Sequence, residues 1–447
     1  MKIVIIGAGP CGLGAAKKLT ADGFGDWLLL EREGYAGGLS ASFTDDRGFT
    51  WDQGGHVIFS HYPEFDRMLE ETAGGELLFH RRQSYIHVCD SRVPYPFQNN
   101  LRYLPRDLAL EALSGLKQAP GGGPGLPFDQ WLIRTFGEGI TRLFMRPYNE
   151  KVWATDLSMM AAQWISERVS VVDYDRTLRS LLLADDDVDW GPNNSFIFPL
   201  RGGTGEVFRR LAAGLPRENI RYNANVVRLD LGRKELRLGD GSLIGFDRLI
   251  STMPLDELVA RTEGLPESVS GSAQRLRHSG TFGVGYGFGV PLPDDWCWVY
   301  FPEPDVPFNR VTNFAHYSPF NVPRGRTDRY CSFMCETSFS DTKPEEKRRV
   351  TEATLQGLYD KKIVPKSAGP ASVFVKEIPY AYPVPTLERD DALRHIQPYL
   401  MQRGVFSRGR FGAWLYELGN MDHSFKQGID VADFILSGKK ESEWKLR

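Results

Sequence analysis

The sequence predicts an α/β fold that opens with a Rossmann-like unit and continues through a helical region into a mainly antiparallel sheet. The first observation is an apolar run at residues 2–6 that leads directly into a glycine-rich turn. The second is a helical pattern from residue 104 to about residue 174, and the third is strand alternation between residues 282 and 374. Apolar periodicity distinguishes these classes, because buried parallel strands read as continuous apolar runs.

The first 31 residues have a strand-turn-helix-strand pattern. Residues 2–6 form the first strand, the turn Gly7-Ala8-Gly9-Pro10-Cys11-Gly12 follows, and residues 13–19 are good helix formers. A second apolar run, 27–30, ends at Glu31. In such a unit the glycines allow a tight turn, close approach to a pyrophosphate and close helix packing, while the acid accepts hydrogen bonds from a ribose. We therefore predict dinucleotide binding; the alternative is a glycine-rich surface turn.

Two further glycine turns refine this prediction. Gly37-Gly38-Leu39-Ser40 follows the second strand and resembles the opening of FAD-dependent oxidoreductases of the amine-oxidase and glutathione-reductase type, which indicates FAD. Gly54-Gly55-His56 places a double glycine and a histidine before an apolar segment that we expect to be a strand. Such a backbone suits the close passage of a flat flavin ring, with His56 against it. The alternative is a hydrogen-bonded histidine in an ordinary turn.

Composition excludes several classes of function. The 447 residues suffice for about two to four domains. With 54 basic and 57 acidic residues the net charge is -3, which argues against a nucleic-acid or anionic-membrane surface. No apolar run is long enough to span a bilayer, and the first strand begins at residue 2, so we expect no signal peptide and a cytoplasmic protein. Five scattered cysteines are expected to be free thiols, without a metal site.

Later segments offer polar and aromatic groups with two interpretations each. Tyr95, Phe97 and Gln98 lie in a proline-locked segment and could stack on and read a base, or could be a rigid aromatic loop on the core. Aromatic residues between 143 and 169 are more often core than ligand contacts. The chain then returns to the first domain and closes with a helix for which Asp422 and Ser424 are suitable N-cap types.

Several distinctive blocks follow one another along the chain: VPYPFQNN, LFMRPYNEKVWA, WISERV, WGPN, FPLRGGTG, PFNR, YSPFN, YPVPTLER and SRGRFGAWLYELGNMDHSF. In sequence and order these blocks resemble the UDP-galactopyranose mutase family, most closely its eukaryotic-type branch. It implies a discontinuous FAD-binding domain of residues 1–80, 199–258 and 403–447, a helical domain of residues 101–190, and a mainly antiparallel six-stranded sheet domain of residues 81–100, 191–198 and 259–402.

The resemblance also implies an activity. The expected protein is a flavin-dependent isomerase that interconverts the pyranose and furanose forms of a nucleotide sugar, with UDP-galactopyranose and UDP-galactofuranose as the expected pair. N5 of reduced FAD would attack the anomeric carbon and release the nucleoside diphosphate, which later returns. NADPH is the possible electron donor, and the oligomeric state stays open. Three alternatives remain: a mutase for another NDP-sugar, an FAD-dependent oxidoreductase of the amine-oxidase superfamily, and a non-catalytic nucleotide-sugar-binding flavoprotein.

Site residues follow from the resemblance, position by position. The catalytic set is His56, Arg168 and Arg310, the two arginines binding the diphosphate. The cofactor positions are Gly7, Gly9, Gly12, Glu31, Gly38, Leu39, Gly55, His56, Arg82, Val226, Arg410, Gly419, Asn420, Met421 and Ser424; Met421 stands where the family has glutamine. The substrate positions are Tyr95, Phe97, Gln98, Phe144, Asn149, Trp153, Arg168, Asn193, Trp298, Tyr300, Arg310, Tyr317, Tyr382 and Tyr416.

Overall fold

A computed structural model describes residues 1–165, 169–170, 173–188, 194–291 and 294–445. The strands in chain order are β1 (Ile3–Ile6), β2 (Trp27–Leu30), β3 (Ser42–Thr44), β4 (Thr50–Asp52), β5 (Leu77–Arg81), β6 (Ser84–Val88), β7 (Ser91–Pro94), β8 (Ser195–Pro199), β9 (Ile220–Arg221), β10 (Val226–Asp230), β11 (Glu235–Leu238), β12 (Leu243–Gly245), β13 (Arg248–Ser251), β14 (Arg277–Phe288), β15 (Trp298–Tyr300), β16 (Arg310–Asn313), β17 (Cys331–Phe339), β18 (Pro370–Val384) and β19 (Val405–Ser407).

The helices alternate with these strands. In chain order they are α1 (Pro10–Ala21), α2 (Pro63–Ala73), α3 (Arg106–Gln118), α4 (Phe128–Ile140), α5 (Arg146–Trp153), α6 (Tyr174–Leu183), α7 (Gly203–Ala213), α8 (Leu255–Ala260), α9 (Glu267–Ala273), α10 (Phe314–Tyr317), α11 (Lys347–Asp360), α12 (Arg389–Met401) and α13 (Met421–Ser437). Among the described residues, no helix combines the length and apolar character that crossing a bilayer requires.

A five-stranded parallel sheet, in the order β19-β13-β1-β2-β9, forms the centre of the first domain. The four residues of β1 are 0–7% exposed, as a strand covered on both faces requires. The predicted strand-turn-helix-strand unit is confirmed, with its second strand at Trp27–Leu30. The five strands of the parallel sheet come from three separate parts of the chain, so the domain is discontinuous, as expected.

The second large sheet has seven strands, in the order β18-β14-β17-β16-β15-β6-β7, rather than the six expected. All neighbours are antiparallel except β15 and β6, which pair in parallel. The strand predicted directly after His56 is wrong, because only an isolated bridge, Ile58 to Ile197, forms there. Strand β8 pairs with β5 in a separate two-stranded sheet.

Alternating glycines in β14 let Phe49 and Trp51 pack closely on the antiparallel sheet. Gly285 and Gly287 lie on one face of β14, where a Cβ atom would come within 2.5 Å of Trp51 and 2.6 Å of Phe49. Trp51 instead stacks on Phe374, with ring centroids 5.9 Å apart. The loop that follows β4 therefore lies on the face of the antiparallel sheet.

The helical region packs around its own apolar cluster, which includes Phe97, Phe144 and Trp153, each at most 3% exposed. Helices α3 to α5 have a π-helical turn, Thr141–Met145, between the last two. The closing helix α13 begins at Met421, after Asn420, and no side chain caps it. Asp422 is therefore not the N-cap that the sequence suggested, because its carboxylate binds two histidines instead.

Candidate active site

The two glycine turns of the first domain meet and leave bare backbone between them. At Gly12 a Cβ atom would collide with the carbonyl oxygen of Gly7, and at Gly38 a Cβ would lie 3.1 Å from the Cα of Gly9. Gln53 fixes the second turn, because its Nε2 donates to the carbonyl of Gly38 at 2.8 Å. Because these glycines carry no side chains, the backbone next to the N-terminus of α1 stays open to a ligand, and this space fits the pyrophosphate of a dinucleotide.

Glu31 lies at the carboxyl end of β2 and is 6% exposed. Its Oε2 accepts the Ala8 N–H at 2.7 Å and its Oε1 accepts the Glu33 N–H at 2.9 Å. Burial raises the pKa of Glu31, and these backbone hydrogen bonds oppose that shift. The backbone of Ala224, two residues before Val226, donates to the Glu31 carbonyl at 2.8 Å. The start of β10, where Val226 lies, is therefore close to Glu31.

Helix α13 approaches the same region from the other end of the chain. At Gly428 a Cβ would collide with the Cys11 carbonyl, so α13 and α1 are in close contact. Arg410 donates to the Ala381 carbonyl at 2.8 and 2.9 Å and to the Gly419 carbonyl at 3.2 Å. This arrangement connects the start of α13, where Asn420 and Met421 lie, to the antiparallel sheet.

The loop before His56 lies on the antiparallel sheet. Gly54 has φ +117°, and at Gly55 a Cβ would collide with Thr312 Oγ1. His56 Nδ1 is buried and has no hydrogen-bond partner among the described residues, unlike the histidine of an ordinary turn. Burial lowers the pKa of His56 to about 4; Glu336 opposes this shift, and the charge of Arg310 adds to it. The imidazole is therefore neutral at neutral pH.

Three neighbouring strands place Tyr300, Arg310 and Glu336 in one row. Tyr300 is opposite Arg310, and Arg310 is opposite Glu336, so the three side chains share one face. Arg310 Nε donates to Glu336 Oε2 at 2.5 Å, and Glu336 is 5% exposed. Burial alone would raise the pKa of Glu336, but the adjacent Arg310 charge holds it below its usual range. A buried ion pair thus lies beside the His56 loop.

Two tyrosines and a tryptophan lie beside Arg410. Its guanidinium carbon is 5.3 Å from the Tyr382 ring centroid and 5.2 Å from that of Tyr416. Trp153 packs edge-on against Tyr416, with centroids 4.8 Å apart. Burial raises the pKa of Tyr382, so its phenol stays protonated and can donate a hydrogen bond to an anion.

A second aromatic group surrounds Arg82. Its guanidinium carbon lies 4.3 Å from the Tyr95 ring centroid and 5.0 Å from that of Trp298. Tyr95 is 5.7 Å from Tyr300, centroid to centroid, which connects this group to the Arg310 row. The Trp298 Nε1 is buried without a hydrogen-bond partner among the described residues, as a donor for a bound ligand would be.

Other predicted substrate residues are enclosed by protein. Phe97 and Phe144 pack on each other inside the helical cluster, 5.3 Å between centroids. Gln98 is 1% exposed and donates to the Ser170 carbonyl. Asn149 accepts a hydrogen bond from Trp153 Nε1 at 3.2 Å. In this structure these side chains contact other protein groups, so they support the residues of the site.

Tyr317 is also enclosed, at 0% exposure, between Phe196 and Phe198. Its hydroxyl has no hydrogen-bond partner among the described residues. Arg168 and Asn193 lie outside the described residues. For all of these positions the predicted contacts with substrate stay predictions.

Comparison with known proteins gives consistent matches. The family model for flavin containing amine oxidoreductase matches residues 10–436. The chain belongs to the flavin-containing amine oxidoreductase family. The crystal structure of a reduced UDP-galactopyranose mutase is 40% identical, with a TM-score of 0.95, over 98% of this chain and 95% of that chain. The chain is therefore a UDP-galactopyranose mutase-like flavoenzyme.

Two more distant similarities have lower sequence identity. A putative protoporphyrinogen oxidase from Exiguobacterium sp. 255-15 has a TM-score of 0.74 at 17% identity, over 98% of this chain and 99% of that chain, a likeness of fold alone. The 15-cis-phytoene desaturase of Solanum lycopersicum is 25% identical over 279 residues, 57% of this chain. The flavoenzyme spans about half the length of such curated relatives, 47% for this one.

Sequence reasoning missed two residues that organise the site of this flavoenzyme. Glu336 is the one carboxylate in β17, whose other residues are apolar, small or hydroxylated, and a lone acid in such a strand signals a buried partner. Lys151 lies within a block that carried the resemblance. Its Nζ donates to the carbonyls of Phe301, Glu303 and Val306 at 3.0, 2.8 and 2.9 Å. Lys151 thereby holds the segment that joins β15 to β16, and with it Tyr300 and Arg310.

A separate polar group lies at the start of α13. Asp422 accepts a hydrogen bond from His61 Nδ1 at 2.7 Å and from His423 Nδ1 at 3.1 Å. The ligand atoms of the three residues lie within 4.8 Å of one another. Both carboxylate oxygens are thus occupied by imidazoles, and the expectation that the protein has no metal site stays a prediction.

Proposed function

We propose that the flavoenzyme interconverts UDP-galactopyranose and UDP-galactofuranose while bound to reduced FAD. The observation that carries the proposal is the 40% identity with a UDP-galactopyranose mutase over 98% of the chain. The Arg310 row supports it, because a nucleotide sugar presents a diphosphate that needs cationic and neutral donors together. An amine or porphyrinogen oxidase has no such anion to bind.

The residues present fit FAD. The facing glycine turns would hold the pyrophosphate, Glu31 a ribose, and the start of α13 the isoalloxazine end, with His56, Arg82 and Arg410 around it. A cofactor in this place would occupy the space beside the backbone of Gly9 and Gly38. It could also reach His56 Nδ1, which has no hydrogen-bond partner in the described part of the chain. When bound and reduced, FAD would supply a nucleophile, its N5, for the anomeric carbon.

The residues of the chain would bind and orient the leaving group. Arg310, with Arg168, would stabilise the charge on the departing diphosphate, each charge-assisted contact contributing about 1.5 to 3 kcal/mol. Tyr382 and Tyr416 are neutral donors, so they hold the diphosphate without adding charge. Because the diphosphate must return to the same carbon, a site that binds it too tightly would slow turnover.

The other ends of the substrate are assigned by the same logic. Trp298 and Tyr300, with Asn193, would line the sugar. Tyr95 would stack on uracil and Gln98 would read its edge, for which its buried Oε1 is suited, since it has no hydrogen-bond partner within the described ranges. Phe97, Phe144, Asn149 and Trp153 would shape that pocket, and Tyr317 would bind phosphate. A relative that acts on another NDP-sugar could keep most of these contacts.

The experiment that tests the proposal is a chromatographic assay. Purified protein, reduced with dithionite under anaerobic conditions, is supplied with UDP-galactofuranose and, in parallel, with a panel of other nucleotide sugars. We expect UDP-galactopyranose to form only from reduced protein. If a bound and reducible flavin gives no conversion of any nucleotide sugar, the mutase proposal fails and the oxidoreductase alternative gains support. Retention of UDP-galactose without conversion would instead indicate a binding flavoprotein.

We also infer that NADPH reduces the flavin directly, as in the eukaryotic-type branch. Anaerobic mixing with NADPH should bleach the flavin absorbance, and mixing with NADH serves as the comparison. An unchanged flavin spectrum with both nucleotides would point to a different electron donor.

A further inference from the structure

Glu336 is shared by two parts of the site. One carboxylate oxygen accepts from Arg310 Nε at 2.5 Å, and the other accepts the N–H of Gly55, next to His56, at 3.2 Å. The loop lies directly against the carboxylate, because a Cβ at Gly54 would be 2.5 Å from Glu336 Oε1. With only 5% of Glu336 exposed, water does not screen these contacts appreciably.

This pairing uses only one of the three guanidinium nitrogens of Arg310. Its two Nη atoms have no hydrogen-bond partner among the described residues, so an anion can bind there while Nε stays on Glu336. The guanidinium would then carry one positive charge between two anions. In a buried site of low effective dielectric, the carboxylate and the bound diphosphate repel each other.

We propose that Glu336 is a positioning residue that limits how tightly Arg310 holds the diphosphate and links this arginine to the His56 loop. The inference rests on the proposed function, since the anion concerned is the diphosphate of a UDP-sugar. Glu336 acts through the two groups it binds, the Arg310 guanidinium and the Gly55 N–H.

The test is a calorimetric titration of oxidised holoenzyme with UDP, comparing wild type with Glu336→Gln. Glutamine keeps the size and the carbonyl acceptor but removes the charge. We expect UDP to bind about fivefold or more tightly to Glu336→Gln, because the unpaired Arg310 charge gains a new counterion. In the reduced enzyme, KM for UDP-galactofuranose and kcat should both fall. Glu336→Asp keeps the charge and should bind UDP within about twofold of wild type.

A second comparison isolates the link to the His56 loop. Glu336→Ala removes the acceptor for the Gly55 N–H as well as the charge, so flavin should dissociate faster from it than from Glu336→Gln. Glu303→Gln is the matched control, since Glu303 pairs with Lys361 and His87 at the same sheet and, among the described residues, makes no hydrogen bond or ion pair with Arg310. It should leave the UDP affinity unchanged.

The proposal stays testable if Glu336→Gln fails to fold. In Arg310→Met the carboxylate of Glu336 loses its partner and should repel UDP. The double variant Arg310→Met/Glu336→Met, which has an apolar pair there, should therefore bind UDP more tightly than Arg310→Met alone. Equal affinity in these two variants, or an unchanged or weaker UDP affinity in folded Glu336→Gln, would overturn the inference. Equal flavin release from the Gln and Ala variants would overturn the loop link. A wild-type protein that binds no UDP would overturn the proposed function as well.

Discussion

Replacing His56 should flatten the dependence of stability on acid pH. The pKa of His56 is lowered from 6.5 to about 4, chiefly because its ring is desolvated. Between these values the unfolded chain binds the proton and the folded chain does not, so folding stability falls as the pH falls from about 6.5 towards 4. Below the folded-state pKa no further stability is lost through this group.

The size of the effect follows from the same two values. The protonation of the unfolded state costs the folded protein about 2 kcal/mol at pH 5 and about 3 kcal/mol at pH 4, relative to neutral pH. His56→Gln lacks this group, so wild type should lose about that much more stability than the variant over this range.

The assay is urea unfolding at neutral pH and at pH values near 5 and 4, with wild type and His56→Gln at matched flavin content. Leu110→Gln is the control, because Leu110 is 65% exposed on α3 and carries no titratable group, so its replacement should leave the pH profile unchanged. If wild type and His56→Gln lose equal stability across this range, the imidazole is protonated in the folded protein without cost, and its assignment as a neutral group beside the cofactor is wrong.

Three further predictions concern Gly55, Lys151 and the two arginines assigned to the diphosphate. Gly55→Ala should lower the melting temperature by an amount that corresponds to about 1 to 3 kcal/mol, because its Cβ would collide with Thr312 Oγ1. Adding Thr312→Ala should restore stability in the double variant. A double variant as unstable as Gly55→Ala would contradict the collision. Lys151→Met should destabilise by about 3 kcal/mol or more in urea unfolding, because three carbonyls lose their donor, and an unchanged midpoint would show that water replaces the ammonium. Arg310→Ala and Arg168→Ala should each lower kcat/KM about tenfold to a hundredfold with flavin retained, and normal turnover in both would refute their role on the diphosphate.

The elements that could be predicted from the sequence are those with local causes. The first strand, the glycine turn and Trp27–Leu30 are adjacent in sequence, and an apolar run followed by glycines leaves few alternatives. The block FPLRGGTG also has a local outcome, since α7 begins within it at Gly203. Its contact with Asp52, whose carboxylate accepts from Thr204 Oγ1 at 2.9 Å, joins residues 152 positions apart and was not predictable.

The rest of the site depends on pairings between distant segments. The seventh strand of the sheet arises because β15 pairs in parallel with β6, and no pattern within either segment encodes that register. The strand prediction after His56 failed because this segment joins no ladder. Val57 and Phe59 pack on the core of the antiparallel sheet, while Ile58 packs in the core of the first domain and forms only the bridge to Ile197. Apolar composition shows that a segment is buried, but it does not show what covers it.

Glu336 illustrates the same limit at the level of chemistry. Sequence resemblance marked Arg310 for the diphosphate and His56 for the flavin, but it gave no reason to connect them. The connection requires β17 to lie beside β16, so that Glu336 is opposite Arg310, and requires β14 to present no side chain at Gly283 and Gly285, so that the loop before His56 can lie on the sheet. One buried carboxylate can then bind both groups, and under the proposed function strand register as well as the arginine itself sets the charge that a leaving diphosphate would meet.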